Sequence, residues 1–114
     1  MDRIERVNSL IREIIADILA RKTKDPRIGM VTIHNVVVSR DLRTAKIFFG
    51  VTNLAEKEQT QQALDSAAPF IRKELGKEIK FRFTPELTFI YDDSYEKSDR
   101  IFQILRSLKK NEPA

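Results

Sequence analysis

Residues 63–91 read ALDSAAPFIRKELGKEIKFRFTPELTFIY, and this stretch decides the fold that the rest of the chain completes. Four apolar residues in its first half share one helical face on both sides of Pro69: Leu64, Ala68, Ile71 and Leu75. Proline has no N–H for the helix ladder and its ring crowds a preceding carbonyl, so an unbroken straight helix would cost about 3 kcal/mol or more. We therefore predict a kink, or two helices that meet, at Ala67, Ala68 and Pro69.

The second half of the stretch alternates apolar and polar residues from Ile79 to Tyr91, which is the strongest strand signal in the chain. The apolar members all have odd numbers: Ile79, Phe81, Phe83, Leu87, Phe89 and Tyr91. One face of this strand should pack and the other should meet solvent. Pro85 cannot donate to a strand ladder, so it predicts an edge position or a bulge.

The residues before this stretch predict a helix followed by a hairpin. Apolar residues at helical spacing from Ile4 indicate an amphipathic helix of about 20 residues, which must end before Pro26. Residues 30–39 and 43–51 are predicted strands, and the short turn between them implies antiparallel pairing. The apolar positions switch parity between Ile33 and Val36, which predicts either a bulge or a two-sided environment near His34 and Asn35.

Two further helices complete the predicted order α-β-β-α-kink-α-β-α. Asn53 followed by Glu56 resembles a capping box that opens a polar helix. A short final helix is predicted from apolar residues after the turn at 92–94: Ile101, Ile104, Leu105 and Leu108. We expect an α+β fold with a three-stranded sheet backed by helices. It forms one domain over residues 1–108, followed by a frayed tail at 109–114.

Composition excludes several classes of protein. A chain of 114 residues is long enough for one core, and without cysteine it has no disulfide framework or thiolate metal site. The sequence has no apolar stretch of membrane-spanning length, and its charged amino terminus does not resemble a signal peptide. We therefore expect a cytoplasmic protein. We also expect a monomer, because the apolar residues are all assigned to one core.

Charge is distributed unevenly along the chain. The net charge is +4 and the isoelectric point is near 9.5. Residues 21–46 carry seven lysines and arginines against two aspartates, and residues 69–84 are also basic, whereas residues 85–99 are mainly acidic. A surface divided in this way favours a polyanionic partner on its basic side.

No constellation of residues points to catalysis, a metal or a cofactor. His34 is the only histidine, and Asp92 and Asp93 follow a strand in the manner of turn residues. Four aromatic residues could stack on bases, but we interpret most of them as core or partly covered surface: Phe48, Phe70, Tyr95 and Phe102. We therefore predict that the protein is not an enzyme.

Four segments together resemble the bacterial ribosome-binding factor A family, and they span nearly the whole chain: RIERVNSLIREIIADIL, KDPRIGMVTIHNVVVSRDLRTAKIFF, AAPFIRKELG and FTPELTFIYDDS. The resemblance implies a KH-like type II fold, α-β-β-α-α-β, and association with the small ribosomal subunit as it matures. KH domains usually clamp nucleic acid with a GXXG loop, which this chain lacks. The family instead has an Ala-x-Gly kink, and Ala67-Ala68-Pro69 places proline where glycine is usual.

We therefore predict a non-enzymatic factor that binds the small (30S) subunit and its precursor 16S ribosomal RNA and assists late maturation and rRNA processing. Ribosomal proteins and a release GTPase are further candidate partners. Eleven basic residues are predicted to neutralise RNA phosphates: Lys22, Lys24, Arg27, Arg40, Arg43, Lys46, Arg72, Lys73, Lys77, Lys80 and Arg82. Two alternatives remain open, a protein-interaction module that uses the sheet surface or an edge strand, and a single-strand RNA binder unrelated to ribosomes.

Overall fold

The computed structural model describes residues 2–28 and 31–110. Its elements in chain order are α1 (Arg3–Arg21), β1 (Val31–Val38), β2 (Thr44–Val51), a 3-10 turn (Leu54–Glu56), α2 (Lys57–Glu78), β3 (Glu86–Tyr91) and α3 (Ser94–Lys110). The predicted α+β class and the three-stranded sheet are confirmed. No helix among the described residues is long and apolar enough to cross a membrane.

Helix α1 forms where the periodicity predicts it. Asp2 caps its first turn by accepting a hydrogen bond from the Glu5 backbone N–H at 2.8 Å. Its buried face is the predicted apolar stripe: Val7, Ile11, Ile15, Ile18 and Leu19. This stripe lies on the sheet beside α2, so that both helices cover the same layer of core side chains.

The sheet has the order β1-β2-β3 and is mixed, because β1 and β2 are antiparallel whereas β2 and β3 are parallel. The register passes from Ile33 opposite Phe49 to Asn35 opposite Phe48, which leaves His34 as the extra residue of the predicted bulge. Strand β3 occupies an edge, as Pro85 indicated. The central strand β2 buries Ala45, Ile47 and Phe49 beneath the helices.

The strand predicted from Ile79 is wrong over its first half. Residues 79–85 are irregular, and β3 begins only at Glu86. The backbone carbonyls of Thr84 and Pro85 accept hydrogen bonds from the Arg72 side chain, at 2.8 and 3.1 Å. Pro85 has no N–H to offer, so this segment is joined to α2 through a side chain and not to the sheet. We call residues 79–85 the connecting loop.

Helix α2 is one helix across the predicted break, so the alternative of two helices meeting at Pro69 is wrong. Pro69 lies inside Lys57–Glu78 as the structure assigns it. Four buried residues hold the helix against the core on both sides of the proline: Ala63, Leu64, Ile71 and Leu75. This shared burial stabilises the helical conformation despite the hydrogen bond that proline removes. Asn53 caps the 3-10 turn before α2, with the Ala55 N–H donating to its Oδ1 at 3.1 Å.

Helix α3 is longer than the short helix predicted, because it includes residues 109 and 110 of the predicted tail. The rest of that tail, residues 111–114, lies outside the described part of the chain. Its apolar side chains are exposed, including Leu105 at 58% and Phe102 at 63%. The radius of gyration is 17.5 Å, against roughly 13 Å for a compact chain of this length, as a projecting helix requires. We expected a monomer because all apolar residues were assigned to one core. That argument fails, because the apolar residues of α3 are not in the core.

The first turn of α3 is joined to the end of β3. The Ser94 backbone N–H donates to Asp92 Oδ1 at 3.0 Å, which confirms the turn predicted there. The Tyr91 hydroxyl donates to the Glu96 carboxylate, and this bond, with partial burial, raises the pKa of Tyr91 to about 12. These contacts fix where α3 begins, whereas the side chains of residues 97–109, in its later turns, are exposed.

Candidate nucleic-acid interface

The connecting loop lies close against the second half of α2. The Arg72 guanidinium donates through Nε to the Pro85 carbonyl and through Nη2 to the Thr84 carbonyl. One turn further along α2, a Cβ added at Gly76 would lie 2.7 Å from Thr84 Oγ1. The loop can approach the helix this closely because residue 76 has no side chain.

The β1–β2 turn brings a further basic residue to the same end of the sheet. Leu42 takes a positive φ of 61°, and its N–H donates to the Ser39 carbonyl at 3.0 Å. Asp41 Oδ1 accepts from the Arg43 backbone N–H at 3.1 Å, while the Arg43 carbonyl accepts from Glu86 N–H at 2.8 Å. Arg43 is thereby fixed next to the start of β3.

Two open grooves lie on either side of the connecting loop. The helix–loop groove has a volume of about 500 Å³ and is lined by Pro69, Arg72, Lys73, Gly76 and Arg82, with Phe83 and Thr84. The strand–loop groove has a volume of about 300 Å³ and is lined by Arg43, Thr44 and Glu86, together with Arg72, Phe83 and Thr84. Phe83 lines both grooves, together with Arg72 and Thr84.

Phe83 is exposed, although the alternation pattern assigned it to the packed face of a strand. Its side chain is 47% exposed, and the guanidinium carbons of Arg43 and Arg82 lie 5.0 and 5.4 Å from its ring centroid. The pattern failed because the loop leaves strand geometry before Pro85, so the odd positions no longer share one face. Pro85 was the signal that could have located this departure, and Gly76 inside a helix was the signal for a close approach.

Four of the eleven predicted phosphate-binding residues meet at these grooves: Arg43, Arg72, Lys73 and Arg82. Within residues 2–28 and 31–110, Lys73 and Arg82 have no ion pair with a carboxylate. Glu86 is the single acidic residue lining either groove in the described chain. The two grooves are therefore positively charged and open to a ligand.

Lys22 and Lys77 are held by a shared carboxylate. Their Nζ atoms each lie 3.1 Å from an oxygen of Glu74, which is buried on α2. Hydrogen bonds from Lys77 and Lys22 lower the pKa of Glu74, and the same contact raises the pKa of Lys22. Lys22 connects the end of α1 to α2, whereas Lys77 pairs with Glu74 within α2. Both lysines are partly neutralised, so they are less available to phosphates than Lys73.

The remaining predicted residues lie elsewhere. Arg27 pairs with Asp25 at 2.7 Å near the start of α2, and its hydrogen bonds lower the pKa of Asp25. Lys46 alternates with buried neighbours on β2 and so lies on the sheet face opposite the helices. Three others are exposed and have no ion pair or hydrogen bond from their side chains within the described ranges: Lys24, Arg40 and Lys80.

The three residues of the predicted kink divide between core and groove. Ala67 and Ala68 are partly buried against the core, whereas Pro69 is exposed and lines the helix–loop groove. Of the aromatic residues interpreted as core, Phe70 is also exposed and Phe48 is partly buried. The side chain of Tyr95 lies outside the described part of the chain.

The side chain of His34 pairs with Asp92 within the protein. Its Nδ1 lies 2.9 Å from Asp92 Oδ2, and the hydrogen bond lowers the pKa of Asp92 to about 2. Across the described residues, no group of three or more histidine, aspartate or glutamate side chains could hold a metal ion. The pair joins the β1 bulge to the end of β3.

Comparison with known families matches residues 3–105 to the family described as Ribosome-binding factor A. The chain belongs to the ribosome-binding factor A family. A ribosome-binding factor A from Dictyoglomus thermophilum is 51% identical over 108 residues, which cover 93% of this chain and 90% of the relative. Another, from Geobacter metallireducens, is 44% identical over 111 residues, which cover 96% of this chain and 94% of the relative.

Solved structures of ribosome-binding factor A share the fold. The crystal structure of the factor from Thermus thermophilus superposes with a TM-score of 0.72 at 20% identity, covering 79% of this chain and 97% of that one. The predicted family is thus confirmed, and the three-stranded mixed sheet with its helices is the fold of ribosome-binding factor A. In this member, the basic grooves lie where α2 and β3 are joined.

Proposed function

We propose that the protein binds the small (30S) ribosomal subunit and its precursor 16S ribosomal RNA, and assists late maturation and rRNA processing in the cytoplasm without catalysing a reaction. Membership of the ribosome-binding factor A family supports this function. Coordinates of the Thermus thermophilus factor have been fitted into a cryo-EM map of a 30S complex; that chain has a TM-score of 0.64 to this one at 21% identity, covering 75% of this chain and 91% of that one.

The observation that carries the proposal is a pair of adjacent grooves in which cations outnumber carboxylates. Lys73 and Arg82 line the larger groove without a paired acid in the described chain, and Arg43 lines the smaller one. Neutralising phosphates with such side chains releases counterions, which drives association with RNA. These contacts position the protein, while the folded shape of the RNA supplies specificity.

Co-sedimentation with small subunits tests the function. We expect the wild-type protein to migrate with small subunits in a sucrose gradient and to be absent from mature full ribosomes. Lys73→Glu should abolish this association, because it reverses a charge in the groove. Lys57→Glu is the matched control, because it makes the same charge change in the first turn of the same helix. The Nζ of Lys57 lies 4.4 Å from the centroid of the Tyr91 ring, away from the grooves. Wild-type protein that remains at the top of the gradient would refute the function.

A protein-interaction module is the second candidate, and the outer sheet face favours it. Val37 is exposed on this face, and Phe48 and Ile90 are paired across β2 and β3 with only partial burial. Apolar residues next to an edge strand are suited to an added strand or a docked helix. Capture of a partner that survives ribonuclease digestion and is lost in Val37→Lys would support this alternative.

A further inference from the structure

Phe83 is an exposed aromatic residue with basic neighbours. Its exposure needs an explanation, because burying an apolar ring would be favourable. Phe83 lines both the helix–loop and the strand–loop groove, and nearly half of its surface meets solvent. It contributes little to the core, because the loop turns it outward next to Arg43 and Arg82. Proteins that bind single-stranded nucleic acids stack the bases on aromatic side chains that lie among cations.

We propose that Phe83 is a stacking platform for one unpaired base of the bound RNA, with the flanking phosphates held by Lys73 and Arg82 in one groove and by Arg43 in the other. This inference rests on the proposed function and names the form of RNA that the grooves select. A base within a duplex already stacks on its neighbours, so only an unpaired nucleotide can present a free face to the ring.

The two guanidinium groups favour an anionic ligand at this position. Arg43 and Arg82 both lie within 5.4 Å of the same ring centroid. Both groups carry a positive charge; Glu86 lines the strand–loop groove with Arg43, and no acid lines the helix–loop groove with Arg82 in the described chain. A phosphate on either side of the base would compensate these charges, and guanidinium planes themselves stack on bases. An apolar or cationic partner would leave the charges uncompensated.

The platform is held in place before the ligand arrives. Arg72 binds two successive carbonyls directly after Phe83, and the absence of a side chain at Gly76 lets Thr84 contact α2. A loop fixed in this way loses little conformational freedom when it binds, which increases affinity. Arg72 therefore serves the site chiefly as a positioning residue, although it also lines both grooves.

Binding of a short single-stranded RNA and of a blunt RNA duplex, each labelled for fluorescence anisotropy, tests the platform. Phe83→Leu should weaken single-strand binding roughly 5- to 150-fold, the range measured for loss of one stacked base, and should leave duplex binding unchanged. Phe83→Tyr should restore single-strand affinity. Phe102→Leu is the control, because Phe102 is another exposed ring with a guanidinium 5.8 Å away, located on α3.

A direct optical readout comes from Phe83→Trp, because the chain contains no tryptophan. Stacking of a base should quench the indole fluorescence as single-stranded RNA is added, whereas Phe102→Trp should show no such quenching. Unchanged affinity in Phe83→Leu, or no quenching in Phe83→Trp, would overturn the platform. If these results occur while wild-type protein still co-sediments with small subunits, the inference fails and the proposed function stands.

Discussion

Glycine at position 76 determines how closely the connecting loop approaches α2. Alanine is favoured over glycine in a helix by about 1 kcal/mol, so propensity alone would favour a substitution here. The added Cβ would nevertheless lie 2.7 Å from Thr84 Oγ1, which is attached to a short, β-branched side chain that cannot move away freely. A residue that is unfavourable for the helix is thus required by its contact with the loop.

Gly76→Ala should displace the loop and weaken RNA binding while the helical content stays the same. Displacement moves Phe83 and Arg82 relative to Lys73, so that the grooves lose their shape. RNA affinity by fluorescence anisotropy and helicity by circular dichroism measure the two effects. Full affinity in the variant would mean that Thr84 rotates without moving the loop.

The pair formed by His34 and Asp92 predicts a pH effect. His34→Ala should raise the pKa of Asp92 from about 2 towards its ordinary value of 3.8, because the hydrogen bond from His34 is the main cause of the shift. A lowered carboxyl pKa stabilises the folded state fully above about 3.8, and this contribution is lost as the pH falls through about 2. Carboxyl chemical shifts followed by NMR titration measure the change, and Asp41 provides an internal reference. If the pKa of Asp92 does not change in the variant, the hydrogen bonds from Ser94 are the cause of its shift.

At the scale of elements, α2 combines a proline with a continuous buried face. Pro69 cannot donate to the carbonyl one turn earlier, yet the helix spans Lys57–Glu78 because residues on both sides of the proline are buried together. Packing against the sheet is therefore worth more than the bond that is lost. The same helix presents Pro69 and Lys73 to the groove on its other side.

Pro69→Ala should raise the free energy of unfolding by about 1 to 3 kcal/mol, because alanine restores a helix donor and removes the steric conflict. Urea denaturation followed by circular dichroism measures this. A lower stability would mean that a kink imposed by the proline is needed for packing. Since Pro69 lines the groove, RNA affinity should be measured on the same variant.

Two leucines on different helices should respond very differently to truncation. Leu75→Ala on α2 should lower the free energy of unfolding by about 2 to 5 kcal/mol, because Leu75 is completely buried and a cavity would remain. Leu105→Ala on α3 should change it by less than about 0.5 kcal/mol, since Leu105 is 58% exposed. Equal losses in denaturant melts would show that α3 packs against the core in solution.

Over the whole molecule, the basic grooves and helix α3 are two separate regions. The described chain measures 63 × 36 × 18 Å, because α3 extends away from the sheet and the other two helices. The grooves lie where β2 and β3 begin, whereas α3 starts where β3 ends. The eleven predicted basic residues therefore do not form one continuous surface. The ones that do lie together surround the connecting loop.

The salt dependence of RNA binding should follow this division. Removing one phosphate contact with Lys73→Ala should reduce the slope of log K against log salt by roughly 0.7 to 0.9. Lys57→Ala removes the same charge from the far end of α2 and should leave the slope unchanged. Affinities measured between about 50 and 200 mM salt give both slopes. Equal slope changes in the two variants would indicate diffuse attraction without a groove contact.

Local sequence patterns predicted α1, the β1–β2 hairpin with an irregularity near His34, and the family. These features depend on local spacing of apolar residues and on nearby pairing, which a sequence records directly. Three features became clear from the three-dimensional fold alone: α2 continues through Pro69, the chain from Ile79 to Pro85 is a loop, and Phe83 faces solvent. Those outcomes depend on burial against distant residues and on one arginine that binds carbonyls more than ten positions away, and no local pattern encodes such contacts.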